Sequence, residues 1–183
     1  MIRRHRTEER GSALVETAIV LSLLLVLAIG AFEWGMAFRD WLSVSSATRE
    51  GARVAASAGK NLDADCAILE ATAGSLLSVD NSRIAFVNIY NSDATGAPTG
   101  QIQTYKPFDA ATDNDDNLRC ERWFAVNDTA YPPSARDNIG AERDWVGVRL
   151  EFVHSWKTGL FWWSGGVNWS DQTIILMEPD PSI

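Results

Sequence analysis

The stretch Thr17–Phe32 reads TAIVLSLLLVLAIGAF, carries no charge, and has only Thr17 and Ser22 as polar residues. Extended from Ser12 to Phe38, it supplies the roughly 20 apolar residues that a helix needs to cross a bilayer. Glu16 and Glu33 then fall near the two faces. Ahead of the run stand Arg3, Arg4, Arg6 and Arg10, against Glu8 and Glu9. Basic residues are retained on the cytoplasmic side and acidic ones count little. The sequence therefore predicts a single-pass protein with a cytoplasmic N-terminus and residues beyond the run outside the cytoplasm.

A cleaved secretory signal shares part of this pattern, since it too has a basic start and an apolar stretch. This run is long for one, however, and Glu33, Arg39 and Asp40 crowd its exit where an Ala-x-Ala site belongs. A plain anchor with no processing is the second alternative. The remaining chain is of ordinary composition, 46% hydrophobic and 22% charged over 183 residues. That suits one modest domain plus an anchor and argues against disorder. Residues 41–183 hold 11 Lys+Arg and 19 Asp+Glu, so the net charge of −8 lies in that part. Nucleic-acid binders need a basic face, and none is offered.

No proline occurs before Pro98. One helix is expected from about Ser12 to Ser57, roughly 70 Å long. Its outer half has a stripe of Val44, Ala47, Gly51, Ala55 and Ala58, spaced by three and four and so on one face. The stripe suits docking onto the protein's own domain or onto another membrane helix protein. Gly30 and Gly35 near Ala31 are a weak signal for helix packing in lipid. Gly59 ends the helix, and Asn61 caps a second one reaching about Ser78, with Leu62, Cys66, Leu69, Ala73 and Leu76 as its apolar positions.

Strands are expected at Arg83–Tyr90, Trp145–Trp156 and Thr173–Met177, with short ones at Gln101–Tyr105 and Arg122–Val126. In the second of these Val146, Val148, Leu150, Phe152 and His154 alternate with polar or small residues, the mark of a half-buried strand. Asn91–Gly100 and Thr129–Gly140 read as loops. Helix followed by several strands predicts an α+β fold, with the second helix packed on an antiparallel sheet. The expected division is 1–11 as a basic leader, 12–58 as transmembrane and extended helix, and 59–183 as an extracytoplasmic α+β domain.

Candidate chemistry is sparse. Cys66 and Cys120 both lie in the exported part, where a disulfide is permitted; the alternative is two free thiols with Cys66 on its helix face. Asp109–Asn117 is an acidic loop whose oxygens suit Ca²⁺ in density. Its spacing is not that of an EF-hand, and a solvated loop is the simpler account. His5 and His154 are far apart and give no zinc or Ser/His/Asp constellation. No nucleotide-binding glycine loop occurs, so the expectation is a non-enzyme without cofactor, metal or small-molecule substrate. Eight tryptophans are many for this length. Trp162, Trp163 and Trp169 sit in the densest cluster, which reads either as an exposed contact surface or as a local core closing the sheet's end.

Several short elements together resemble a known family. Arg10-Gly11-Ser12-Ala13-Leu14-Val15-Glu16 puts a glutamate five residues after a glycine that ends a basic leader. This is similar to a class III, prepilin-peptidase signal. ALVE at Ala13–Glu16, FEWG at Phe32–Gly35 and REGAR at Arg49–Arg53 then resemble, as a set over about the first 58 residues, the TadE-like minor pseudopilins of the tight-adherence (Tad/Flp) pilus system. The resemblance implies cleavage between Gly11 and Ser12, and a role for Glu16 in peptidase recognition or in pairing with a neighbouring subunit's amine. It makes Glu33, Gly35, Arg49, Glu50, Gly51 and Arg53 the family positions. A carboxylate in a membrane helix costs on the order of several kcal/mol, which gives Glu16 a reason to have a task; an interfacial glutamate tolerated near the headgroups is the plain alternative. Ser12 departs from the aromatic that pilins often carry at that position, and the domain is larger than a major pilin's.

The implied function is a minor pseudopilin in the inner membrane that takes part in assembly, initiation or regulation of an adhesive pilus. Its implied partners are the membrane, a prepilin peptidase, and other pseudopilins or the Flp pilin with its machinery. The competing reading is an unprocessed membrane-anchored binding module of the cell envelope.

Overall fold

The computed structural model describes residues 5–113, 118–120, 122–127, 130–139, 143–159 and 165–179. A long helix α1, His5–Ala58, opens the chain. It begins earlier than the expected Ser12, because the Glu- and Arg-rich residues before Gly11 are themselves good helix formers. The chain divides into two compact units. The first comprises Met1–Phe38 with Trp156–Gly165, the second Arg39–Ser155 with Gly166–Ile183.

In the first unit, α1 carries the apolar run. Leu14, Val15, Ile19 and Leu23 are more than 60% exposed, which suits an apolar surrounding and not water. Thr17 and Ser22 donate their hydroxyls to the carbonyls of Ala13 and Ala18, both at 2.8 Å, so the two polar side chains of the run are satisfied on their own helix. This helix is long and apolar enough to cross a membrane.

The second unit is α+β, as the sequence predicts. Helix α2 spans Ala64–Gly74, and strands β1 Ile84–Ser92, β2 Pro98–Pro107, β3 Leu118–Arg119, β4 Trp123–Asn127, β5 Trp145–Ser155 and β6 Gly166–Leu176 form one sheet in the order β3-β4-β2-β1-β5-β6. Every described pairing is antiparallel. Val87 and Ile89 of β1 and Val146, Val148, Leu150 and Phe152 of β5 are buried against Val44, Ala47, Ala52 and Ala55 of α1 and Ile68 and Leu69 of α2. The small-residue stripe thus docks on the protein's own sheet and second helix. Short side chains let the backbones approach: a Cβ on Gly51 would lie 2.2 Å from Thr72 Oγ1 and 3.3 Å from a Val148 methyl.

Besides the earlier start of α1, several elements differ from expectation: β1 and β2 cut into the expected loop Asn91–Gly100 from both ends, the two-residue β3 is an addition, and α2 and β6 have other bounds. Helix α2 starts at Ala64, not after Asn61, and stops at Gly74, short of Ser78. It buries Ala64, Asp65, Ile68, Leu69 and Thr72, while Leu62 is 90% exposed. The face is rotated because Asp65 takes an inward position. Strand β6 starts at Gly166 and not at Thr173, pairing in unbroken register from Gly166 opposite Ser155 to Leu176 opposite Trp145.

Candidate functional site

Gly11, Ser12, Val15, Glu16, Ile19 and Val20 lie along one face of α1. All six are exposed, and an added Cβ on Gly11 would meet nothing within 4 Å. The bond between Gly11 and Ser12 and the Glu16 carboxylate are therefore presented on an open helix surface, one turn apart.

Farther along, one face of α1 turns inward: Gly30, Glu33 and Ala37 are buried, at spacings of three and four. Glu33 is fully buried. Its carboxylate accepts hydrogen bonds from the backbone N–H of Lys157, at 3.0 and 3.1 Å, and from that of Thr158, at 2.5 Å. Both donors lie in the connection from β5 to β6, where the Trp156 N–H also donates to the Gly165 carbonyl at 3.4 Å. Beside this cap the rings of Trp34 and Trp156 meet edge-on, 6.0 Å apart. Gly35, by contrast, is exposed with open space where a Cβ would stand.

The REGAR element splits between two faces of α1. Gly51 points at Thr72. Arg49 and Arg53 are exposed, and Arg53 Nε donates to Glu50 Oε2 at 2.9 Å. That hydrogen bond and the Arg53 charge hold the Glu50 carboxyl below the usual range. Such an exposed pair contributes little to stability.

Two buried polar clusters escape the sequence reading. Asp40 Oδ2 lies 2.7 Å from Arg83 and 3.0 Å from His154 Nδ1, and Arg83 Nε also donates to the Val153 carbonyl at 2.9 Å. Burial alone would raise the Asp40 carboxyl, but the hydrogen bonds and charges of Arg83 and His154 outweigh it and hold the group below its ordinary value. This residue stands beyond the apolar run. His154 is buried on the apolar face as expected, stacked on Trp169 at 5.2 Å. In the other cluster the Asp65 carboxylate pairs with Arg136 and accepts from Tyr105 at 2.7 Å and Gln103 at 2.6 Å. Burial first, and then the Asp65 charge, push the Tyr105 phenol well up. No local pattern announces these partners, since Asp65 and Arg136 are far apart in the chain and meet only through the tertiary fold.

Cys66 and Cys120 form a disulfide that ties α2 to the segment after β3. Trp169 lies in β6, half-buried and edge-on to Phe152 at 5.9 Å, whereas Trp162 and Trp163 lie outside the described residues. In the acidic loop, Asp113 binds Lys106 at 2.6 Å and accepts from the Asp109 N–H at 3.0 Å. Residues 114–117 of that loop lie outside the described part. Among the described residues no group of three or more His, Cys, Asp or Glu is placed to hold a metal ion.

These features define a class: an α+β domain carried on one apolar N-terminal helix that fits a single membrane crossing. Within that class the chain is similar to a particular family, for residues 11–53 match the family model described as TadE-like protein. The matched segment contains the ALVE, FEWG and REGAR elements, and it supports a membrane-anchored protein associated with a Tad pilus. No curated protein and no solved structure matches the chain.

Proposed function

We propose that the protein is a minor pseudopilin that takes part in assembling, initiating or regulating a Tad/Flp-type adhesive pilus, without catalytic activity of its own. It sits in the inner membrane with its N-terminus cytoplasmic and its α+β domain outside. A prepilin peptidase removes residues 1–11, leaving Ser12 as the new N-terminus. The observation that carries this reading is the family match, which begins at Gly11 and runs through every motif element to Arg53. The open face bearing Gly11, Ser12 and Glu16 supports it, because a peptidase must reach both the scissile bond and the residues that mark it. A carboxylate at that depth is costly in lipid and is offset when a neighbouring subunit's amine pairs with it.

The test is the mass of the mature chain from cells with and without the peptidase. The expected N-terminus is Ser12 in the first and the intact leader in the second. An intact leader in both strains would sink the proposal and favour an unprocessed envelope binding module. Glu16→Ala is expected to abolish or sharply reduce piliation while the domain still folds; normal pili from this variant would remove the pairing role.

A further inference from the structure

The cap that Glu33 places on the β5–β6 connection fixes the depth of that connection in the membrane. Glu16 and Glu33 are 17 residues apart, about 26 Å along a helix. The hydrocarbon core is about 30 Å thick. A helix that crosses it between these two carboxylates therefore holds Glu33 at the outer boundary of the hydrocarbon. The turn of Lys157 and Thr158 is hydrogen-bonded to Glu33 and must share that depth.

The chemistry of the contact agrees. In water, the two backbone N–H groups of an exposed turn need no protein partner. At the edge of the hydrocarbon water is scarcer, so an acceptor supplied by the protein gains in value. A buried carboxylate on the membrane helix is such an acceptor. Around it stand the side chains that favour the interface. Trp34 is 59% exposed and Phe32 56%, and Trp156 packs edge-on against Trp34. Tryptophan concentrates at headgroup level because its ring is apolar and its N–H polar. Lys157 is exposed beside them, and a lysine there reaches lipid phosphates with its ammonium while its stem stays on apolar surface.

We infer that the turn Trp156–Thr158, just after β5, is a second membrane contact, with Trp156 and Lys157 lodged among phospholipid headgroups by the Glu33 cap. The inference needs the helix to span a bilayer, but it is independent of peptidase cleavage and of pilus assembly. It gives the protein a second contact with the membrane beside the helix itself, one that opposes a change of depth.

The full chain, with its disulfide intact, is reconstituted into phosphatidylcholine–phosphatidylglycerol vesicles. Lys157→Cys introduces one free thiol without touching the hydrogen bond, which uses the backbone of residue 157. A nitroxide on it is read by collision with oxygen and with a water-soluble nickel chelate. Val20→Cys and Leu62→Cys, the latter 90% exposed, serve as hydrocarbon and water references. The expected label is several-fold less accessible to nickel at 157 than at 62, with oxygen collisions between the two references. Glu33→Ala is expected to return position 157 to the water value, and Glu33→Gln, which keeps an acceptor, to retain most of the protection. Water-like accessibility at 157 in the parent overturns the inference. So does protection that disappears on dilution to one protein per vesicle, since that marks contact with a second chain and not with lipid. Protection unchanged in Glu33→Ala overturns the role given to the cap.

Discussion

Two glycines of the family motifs have opposite surroundings, and the difference is measurable. Gly35 faces open space, so Gly35→Ala is expected to leave the fold unchanged. At Gly51 the added methyl would stand 2.2 Å from Thr72 Oγ1, an impossible distance. Thr72 cannot easily turn away, because its hydroxyl already donates to the Ile68 carbonyl at 2.7 Å. Alanine gains about 0.5–1 kcal/mol over glycine in a helix. Overpacking a core costs about 1–3 kcal/mol, so the clash outweighs the gain. Gly51→Ala should therefore lower the thermal midpoint of the domain by a few degrees, on the order of 4 °C per kcal/mol. Thr72→Ala removes the clashing oxygen and leaves the Thr72 Cβ at 3.5 Å. The double variant should recover stability relative to Gly51→Ala, a coupling that a double-mutant cycle reads directly. If the two substitutions are additive, close approach is not why position 51 is glycine.

At the scale of elements, the disulfide ties α2 to the segment after β3. Cys66 and Cys120 are separated by 54 residues. Closing a loop of that length stabilises by about 4 kcal/mol in the chain-entropy model. Reduction, or Cys66→Ser with Cys120→Ser, should lower the denaturant midpoint by a corresponding amount; an unchanged midpoint would show that the denatured chain is already compact around α2. Elements with a clean period were legible in the sequence. β5 alternates strictly because one face meets the core, and the stripe on α1 repeats by three and four because a sheet and a helix lie against it. β6 was only partly legible. Its inward positions Trp169, Asp171 and Thr173 include two polar residues, and these meet Thr48 of α1 through hydroxyl and carboxylate contacts at 3.1 Å. Polar residues on both faces erase the alternation that marks a strand. The boundary of α2 failed for a similar reason, since Asp65 reads as a surface residue until Arg136, Gln103 and Tyr105 are brought to it.

At the scale of the whole molecule, the apolar run sets how the chain meets a membrane, while the expected orientation depends on the charges that flank that run. Four arginines precede the run, and Arg39 is the first basic residue after it. Basic residues close to the membrane decide orientation, and a translocated domain's own charge matters little. The 11 Lys+Arg of residues 41–183 therefore do not compete on equal terms. The disulfide adds a chemical argument, because such bonds persist in oxidising compartments and are rare in the cytosol. With alkaline phosphatase fused after Ile183, the parent chain should give an active enzyme and thiols closed to alkylation. Replacing Arg3, Arg4, Arg6 and Arg10 together by glutamine should lower phosphatase activity and open a fraction of Cys66 and Cys120 to alkylation in the same cells. The two readouts should move together, since both report the side on which the domain folds. An inactive fusion with alkylated thiols in the parent would reverse the orientation. It would also remove the peptidase from contact with Gly11, so the maturation proposal would fall with it.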